Sequence, residues 1–240
     1  MSNPVLNEKF IDRTAIIDEP LTINGVLQKT TVLFAILFAS ATMVFIKGAE
    51  GHIDMINTLT VGGAIVGFIL ALLICFTKKM FLTPLYAVAE GVFIGGISFM
   101  MEKFYPGIVQ TATLGTVMAV ASMLFQYSAK IIKCTQKFMA VILIATCSIA
   151  GIYLVQIIGS LFGLSIPGLF SNGTVGLAFS GIVIVVAALN LIMDFHFIEQ
   201  ATTVPTPKEY EWFFGFSLMV TIVWLYVEIL RLLAKVNSRD

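Results

Sequence analysis

Seven long stretches almost free of charge dominate this chain, at roughly residues 30–46, 55–76, 82–101, 107–127, 138–162, 174–195 and 212–234. A helix needs about 20 largely apolar residues to cross the hydrocarbon core of a bilayer, and each run meets or approaches that length. Inside lipid, backbone amides and carbonyls have no water to bond, so only helices and closed barrels can span. The alternating short segments of a barrel are absent. The pattern predicts an all-α polytopic membrane protein, with seven transmembrane helices in one bundle. Residues 1–29 are expected to form an N-terminal tail and 30–236 the membrane domain.

The connections carry the residues expected of turns: Gly48 to Gly51, Lys78-Lys79, Lys103 to Pro106, Pro167-Gly168 with Asn172-Gly173, and Pro205 to Pro207. Composition agrees, since 12% of residues are charged against roughly 25% in soluble domains. That is too few to cover a water-facing surface. The formal net charge is zero, so nothing points to nucleic acid as a partner. Glu8, Lys9, Asp12, Arg13, Asp18, Glu19 and Lys29 precede the first apolar run, which argues against a cleaved signal peptide and for a cytoplasmic tail.

Cys75, Cys134 and Cys147 are odd in number and lack C-x-x-C spacing, so they read as small buried hydrophobes. With two histidines, His52 and His196, no metal cage is expected, and no cofactor. The enzyme motifs H-E-x-x-H and G-x-S-x-G are missing, as is a paired-Asp protease motif, so an enzyme is not expected. A retinal protein would need a lysine inside the last helix, where only Arg231 and the terminal Lys235 stand.

Lysine and arginine in the loops set the orientation. Seven spans put nine of them on the N-terminal side (Lys9, Arg13, Lys29, Lys78, Lys79, Lys130, Lys133, Lys137, Lys208) and five opposite (Lys47, Lys103, Arg231, Lys235, Arg239). The N-terminus is therefore expected in the cytoplasm. A re-entrant last segment would change the count to twelve against two. Three glycine pairs at i,i+4 spacing, Gly63/Gly67, Gly91/Gly95 and Gly159/Gly163, are expected to let helices approach closely.

Within the seven runs only Glu90, Asp194, Glu228 and Arg231 are charged. A charge at the bilayer centre costs about 2.5–3.5 kcal/mol on the mildest scale, so each needs a reason. Glu90 lies mid-way along the third run, too deep to reach water. It reads either as a cation- or proton-handling carboxylate, or as a protonated acid bonded to a neighbouring helix. Asp194, followed by His196 and Glu199, is either a site residue or part of an interfacial polar cluster. Glu228 and Arg231 are three apart, share a helix face and can pair, and Arg231 can also reach the interface. His196 either tunes a neighbouring carboxylate near neutral pH or is simply solvated.

These charged positions sit inside stretches that resemble the Bax inhibitor-1 (TMBIM, YccA-like) superfamily, and within it the bacterial Bax inhibitor-1-like branch. The stretch 22–30, TINGVLQKT, looks like that branch's entry to the first helix. LYAVAEGVFIGGIS at 85–98 and YPGIV at 105–109 resemble its third and fourth helices. LNLIMDFHFIEQ at 189–200 and WLYVEILRLL at 224–233 resemble its last two.

The resemblance implies six helices around a more central seventh, in a bacterial inner membrane. It also implies a pH-sensitive calcium leak, with two acids on the last two helices as a proton-sensing pair. Asp194 matches the first acid and Glu228 the second, with Glu in place of the more usual Asp. An arginine on the second helix of the leak-forming relatives has no counterpart in the run 55–76. Asp194 and Glu228 are also 34 residues apart. With the turn at Pro205 to Pro207, at ~1.5 Å per residue, their depths would differ by on the order of 15 Å. Glu90 then becomes a candidate partner for one of them. The expected partners are the lipid bilayer and, as transported ion, calcium, held by hard oxygen ligands. The alternative is a non-conducting regulator that binds a membrane protease or another membrane protein, as some YccA-like relatives are thought to do.

Overall fold

The computed structural model describes residues 19–163 and 168–238. Among the described residues seven α-helices follow one another: α1 (Ile23–Ala49), α2 (Ile53–Thr77), α3 (Thr83–Phe104), α4 (Ile108–Ser128), α5 (Gln136–Leu161), α6 (Thr174–Thr203) and α7 (Tyr210–Asn237). A short 3₁₀ turn, Met80–Leu82, leads into α3. The helices run from 21 to 30 residues, or ~32–45 Å, enough to cross a core of about 30 Å. Each is long and apolar enough to span. The 28-residue α7 is a full helix and not a re-entrant hairpin.

The helices outrun the apolar stretches, because polar residues join their first and last turns and hydropathy does not register them. The first starts at Ile23, not near residue 30: the Thr22 hydroxyl accepts from the Gly25 amide at 2.9 Å and caps it. Residues 19–21 form an antiparallel clasp with 206–208, in which the Leu21 amide donates to Thr206 O at 2.9 Å and the Lys208 amide to Glu19 O at 3.1 Å. The Lys208 ammonium also bonds the Glu19 carboxylate. The sharp turn into α4 uses Gly107 at φ +87°. There the Glu102 carboxylate accepts from the amides of Gly107 (2.6 Å) and Val109 (3.0 Å). The part of the expected tail before residue 19 lies outside the described residues.

Helix α7 is the axis, packed against α1, α3, α4 and α6. Its Met219, Leu225 and Leu230 are fully enclosed. The expected ring of six is incomplete, because α2 packs on α3 and only marginally on α1. Gly63 explains that docking, since a Cβ there would lie 2.9 Å from Ala89 O. Gly91 and Gly95 let α1 close onto α3: side chains at these positions would strike the Leu37 and Ala41 carbonyls. The third glycine pair differs from expectation. Gly163 lies beyond the end of α5, at φ +73° with open space around it, so it ends a helix instead of joining two.

Helix α5 packs mainly on α6, through Ile149 against Val183 and Val186, and reaches α7 through Tyr153. The Asn190 amide, bonded to Thr146 Oγ1 at 2.9 Å, adds a polar tie. Large apolar side chains such as Phe38, Phe68, Met118 and Ile144 cover the outer faces, as a lipid-facing wall requires. Cys75 and Cys147 stand on that wall too, and so are not the buried residues expected; Cys134 is half-buried.

Candidate functional site

Glu228 is the most deeply enclosed of the acids read from the sequence, 1% exposed within α7. Its Oε1 accepts from the Tyr153 hydroxyl of α5 at 2.9 Å and from Arg231 Nη1 at 3.1 Å. Arg231 Nη1 also donates to the Tyr153 hydroxyl at 2.7 Å, and its guanidinium lies 5.0 Å from the Tyr153 ring centroid. The three groups form a closed triangle. The i,i+3 pairing expected of Glu228 and Arg231 is therefore present, with a tyrosine as third member. Arg231, one turn along the same helix, supplies the cation that the resemblance leads one to seek on the second helix.

Glu228 and Glu90 line one cavity of about 280 Å³ between α3, α5 and α7, together with Tyr86 and Trp224. Tyr86, one turn before Glu90, interacts with its carboxylate. On the other side Glu90 reaches toward α2, where a Cβ on Gly67 would come within 3.1 Å of its Oε2. Tyr153 and Arg231 form a wall shared with a second, wider cavity of about 800 Å³ toward the C-terminal end of α7.

Asp194 stands apart. Its Oδ1 accepts from the Ser217 hydroxyl at 2.7 Å, while its buried Oδ2 has no hydrogen-bond partner among the described residues. It lines a third cavity of about 700 Å³ near the start of α7. Ser217 and Glu228 are eleven residues apart on one helix, or ~16 Å. Asp194 and Glu228 are thus not brought together, whereas Glu90 and Glu228 are. His196 sits two residues from Asp194, on a different face of α6, beside the Phe197 ring. No hydrogen bond joins it to a carboxylate among the described residues, so the structure gives the tuning role no contact.

The three cavities lie in file along α7. Tyr210, Phe213 and Ser217 line the first, Val220, Trp224 and Glu228 the next, and Arg231, Lys235 and Ser238 the last. Steps of three and four residues keep all of them on one helix face. A family model described as Bax inhibitor 1 like matches residues 3–238. The chain belongs to the Bax inhibitor-1-like family. Comparison with curated proteins finds no match.

Three polar residues of this Bax inhibitor-1-like protein escape a scan for charges inside apolar runs. Tyr153 carries no charge. Glu211 is 1% exposed and accepts from the amide and hydroxyl of Thr22, each at 3.1 Å, holding the start of α1 against α7. A side chain at Gly25 would collide with that carboxylate. Lys235 is 6% exposed and donates to Gly176 O at 3.0 Å and Ser180 Oγ at 2.9 Å, tying α7 to the start of α6. The T-x-N-G stretch that caps and opens α1 is a usable sign for the Glu211 cradle.

Proposed function

We propose that the protein is a passive, calcium-permeable cation pathway whose opening depends on carboxylate protonation. The observation that carries this reading is that Glu90 and Glu228 line one cavity, separated from the wider one by the Arg231 guanidinium and the Tyr153 hydroxyl. In this arrangement a positive charge occupies the place a permeating cation would need, and Glu228 is neutralised by it. A proton on Glu228 removes the charge that holds Arg231. The guanidinium, 39% exposed at its side chain, is then free to turn into the wider cavity. Glu90 offers the hard oxygen ligand calcium prefers. Asp194 of α6 offers another nearer the opposite face, bonded to Ser217 on the same stripe of α7.

Reconstitution into liposomes tests the reading. Calcium flux, followed over a range from about pH 8 to 5, should be larger at the acid end, and Glu228→Gln should remove most of that dependence. Flux absent throughout that range, or indifferent to both Glu228→Gln and Asp194→Asn, would sink it. The regulator reading would then take its place, tested by deleting residues 1–20 and measuring capture of a membrane partner.

A further inference from the structure

The wider cavity has a feature that a route for cations does not call for. Its polar side is formed by Arg231 and Lys235, with Asn172, Gln156 and Tyr105, and no acidic residue lines it among the described residues. Arg231 is held by the buried Glu228 through Nη1 but remains 39% exposed. Among the described residues Lys235 is bonded to neutral oxygens, Gly176 O and Ser180 Oγ, and no acid is in contact with its ammonium. The other side of the cavity is apolar: Ile97, Met101 and Phe104 of α3 face Ile157 of α5 across it. No packed interface joins α3 to α5, and the mouth residues Phe104 and Ile157 are 73% and 59% exposed. The cavity therefore opens sideways, toward lipid, at the level of the C-terminal end of α7.

A space with two cations at one side and an apolar cleft leading into the bilayer has the shape and charge of an amphiphile with an anionic head. We infer that an anionic phospholipid occupies this cleft, its phosphate against Arg231 and Lys235 and an acyl chain between α3 and α5. Guanidinium–phosphate contacts are charge-assisted and two-pronged, which makes them selective as well as strong. The occupied cleft would also fill the gap that leaves α5 attached mainly to α6.

This inference does not depend on ion conduction and is tested without it. The full chain is reconstituted in vesicles of equal phosphatidylglycerol and phosphatidylcholine, extracted gently, and weighed with its retained lipids by native mass spectrometry. One phosphatidylglycerol should be retained over phosphatidylcholine by roughly tenfold or more. Arg231→Gln and Lys235→Gln should each reduce that preference severalfold. Ile157→Trp, at an exposed position that leaves both charges in place, should reduce retention of the lipid by filling the cleft. Equal retention of the two lipids, or a preference unchanged in folded Arg231→Gln and Ile157→Trp proteins, would overturn it. Excess inorganic phosphate should fail to displace the lipid; displacement would mean a site for the free anion and would overturn the assignment to lipid.

Discussion

The Glu228–Arg231–Tyr153 triangle makes an asymmetric prediction, because its two charges are enclosed to different degrees. Removing one partner of a fully buried ion pair costs about 3–5 kcal/mol, most of it from the charge left behind. Arg231→Gln leaves a carboxylate that is 1% exposed. Among the described residues only the Tyr153 hydroxyl, at 2.9 Å, remains to solvate it. A cost of roughly 2–4 kcal/mol follows. Glu228→Gln leaves a guanidinium that is 39% exposed and opens onto a cavity of about 800 Å³. The new amide keeps an oxygen for the Tyr153 hydroxyl, so that loss should be only about 1 kcal/mol.

The double variant has neither stranded charge, and should cost less than the sum of the singles by about 1–3 kcal/mol. Reversible unfolding in mixed micelles, followed by helicity, measures all three proteins on one scale. Glu228→Gln costing as much as Arg231→Gln, or singles that add without coupling, would refute this account of the triangle.

Three further outcomes follow from packing and charge. Gly95→Val should destabilise by about 1–3 kcal/mol, because its side chain meets the Ala41 carbonyl, whereas Gly181→Ala, with nothing within 4 Å, should be neutral or stabilise by up to about 1 kcal/mol; unfolding titrations compare them. Glu211→Ala should strand the Thr22 amide and hydroxyl and cost about 1–3 kcal/mol, with hydrogen exchange quickening in the first turn of α1. Lys208 holds the exposed Glu19 carboxyl below its usual range, so the clasp's charge contribution is complete above the ordinary glutamate pKa, about 4.3, and fades as pH falls through the lowered value. Protection of the Leu21 amide should drop there in the native protein, and Lys208→Gln should abolish the step.

The membrane architecture was legible because an apolar run long enough to span has few other uses. Helix ends were less so: Ile23–Lys29 and the last turns of α6 are helical but polar, and hydropathy reports only what lies in lipid. The charge scan found Glu90, Asp194, Glu228 and Arg231 for a sound reason, the cost of each in hydrocarbon. It passed over Glu211 and Lys235 because they lie just outside the apolar window at 212–234 and would be solvated if they did not turn inward. Chain distance did warn that Asp194 and Glu228 differ in depth, since depth along a helix is a matter of counting.

Azimuth is different. In a soluble helix the buried face is the apolar one, and sequence periodicity reveals it. A helix packed in lipid is apolar on its outer side as well, so the face toward the protein has no such mark. The cavity-lining stripe of α7 mixes Phe213, Val220 and Trp224 with Ser217, Glu228, Arg231 and Lys235, and only its polar members could have betrayed its direction. Glu228, Arg231 and Lys235 at spacings of three and four already define that stripe in the sequence. Extending it by the same steps reaches Ser217, the residue that bonds Asp194. The Glu228–Arg231–Lys235 face of the last helix thus carries the azimuthal information that hydropathy lacks, and Tyr153, uncharged and on the loosest helix, is the member it could not reach.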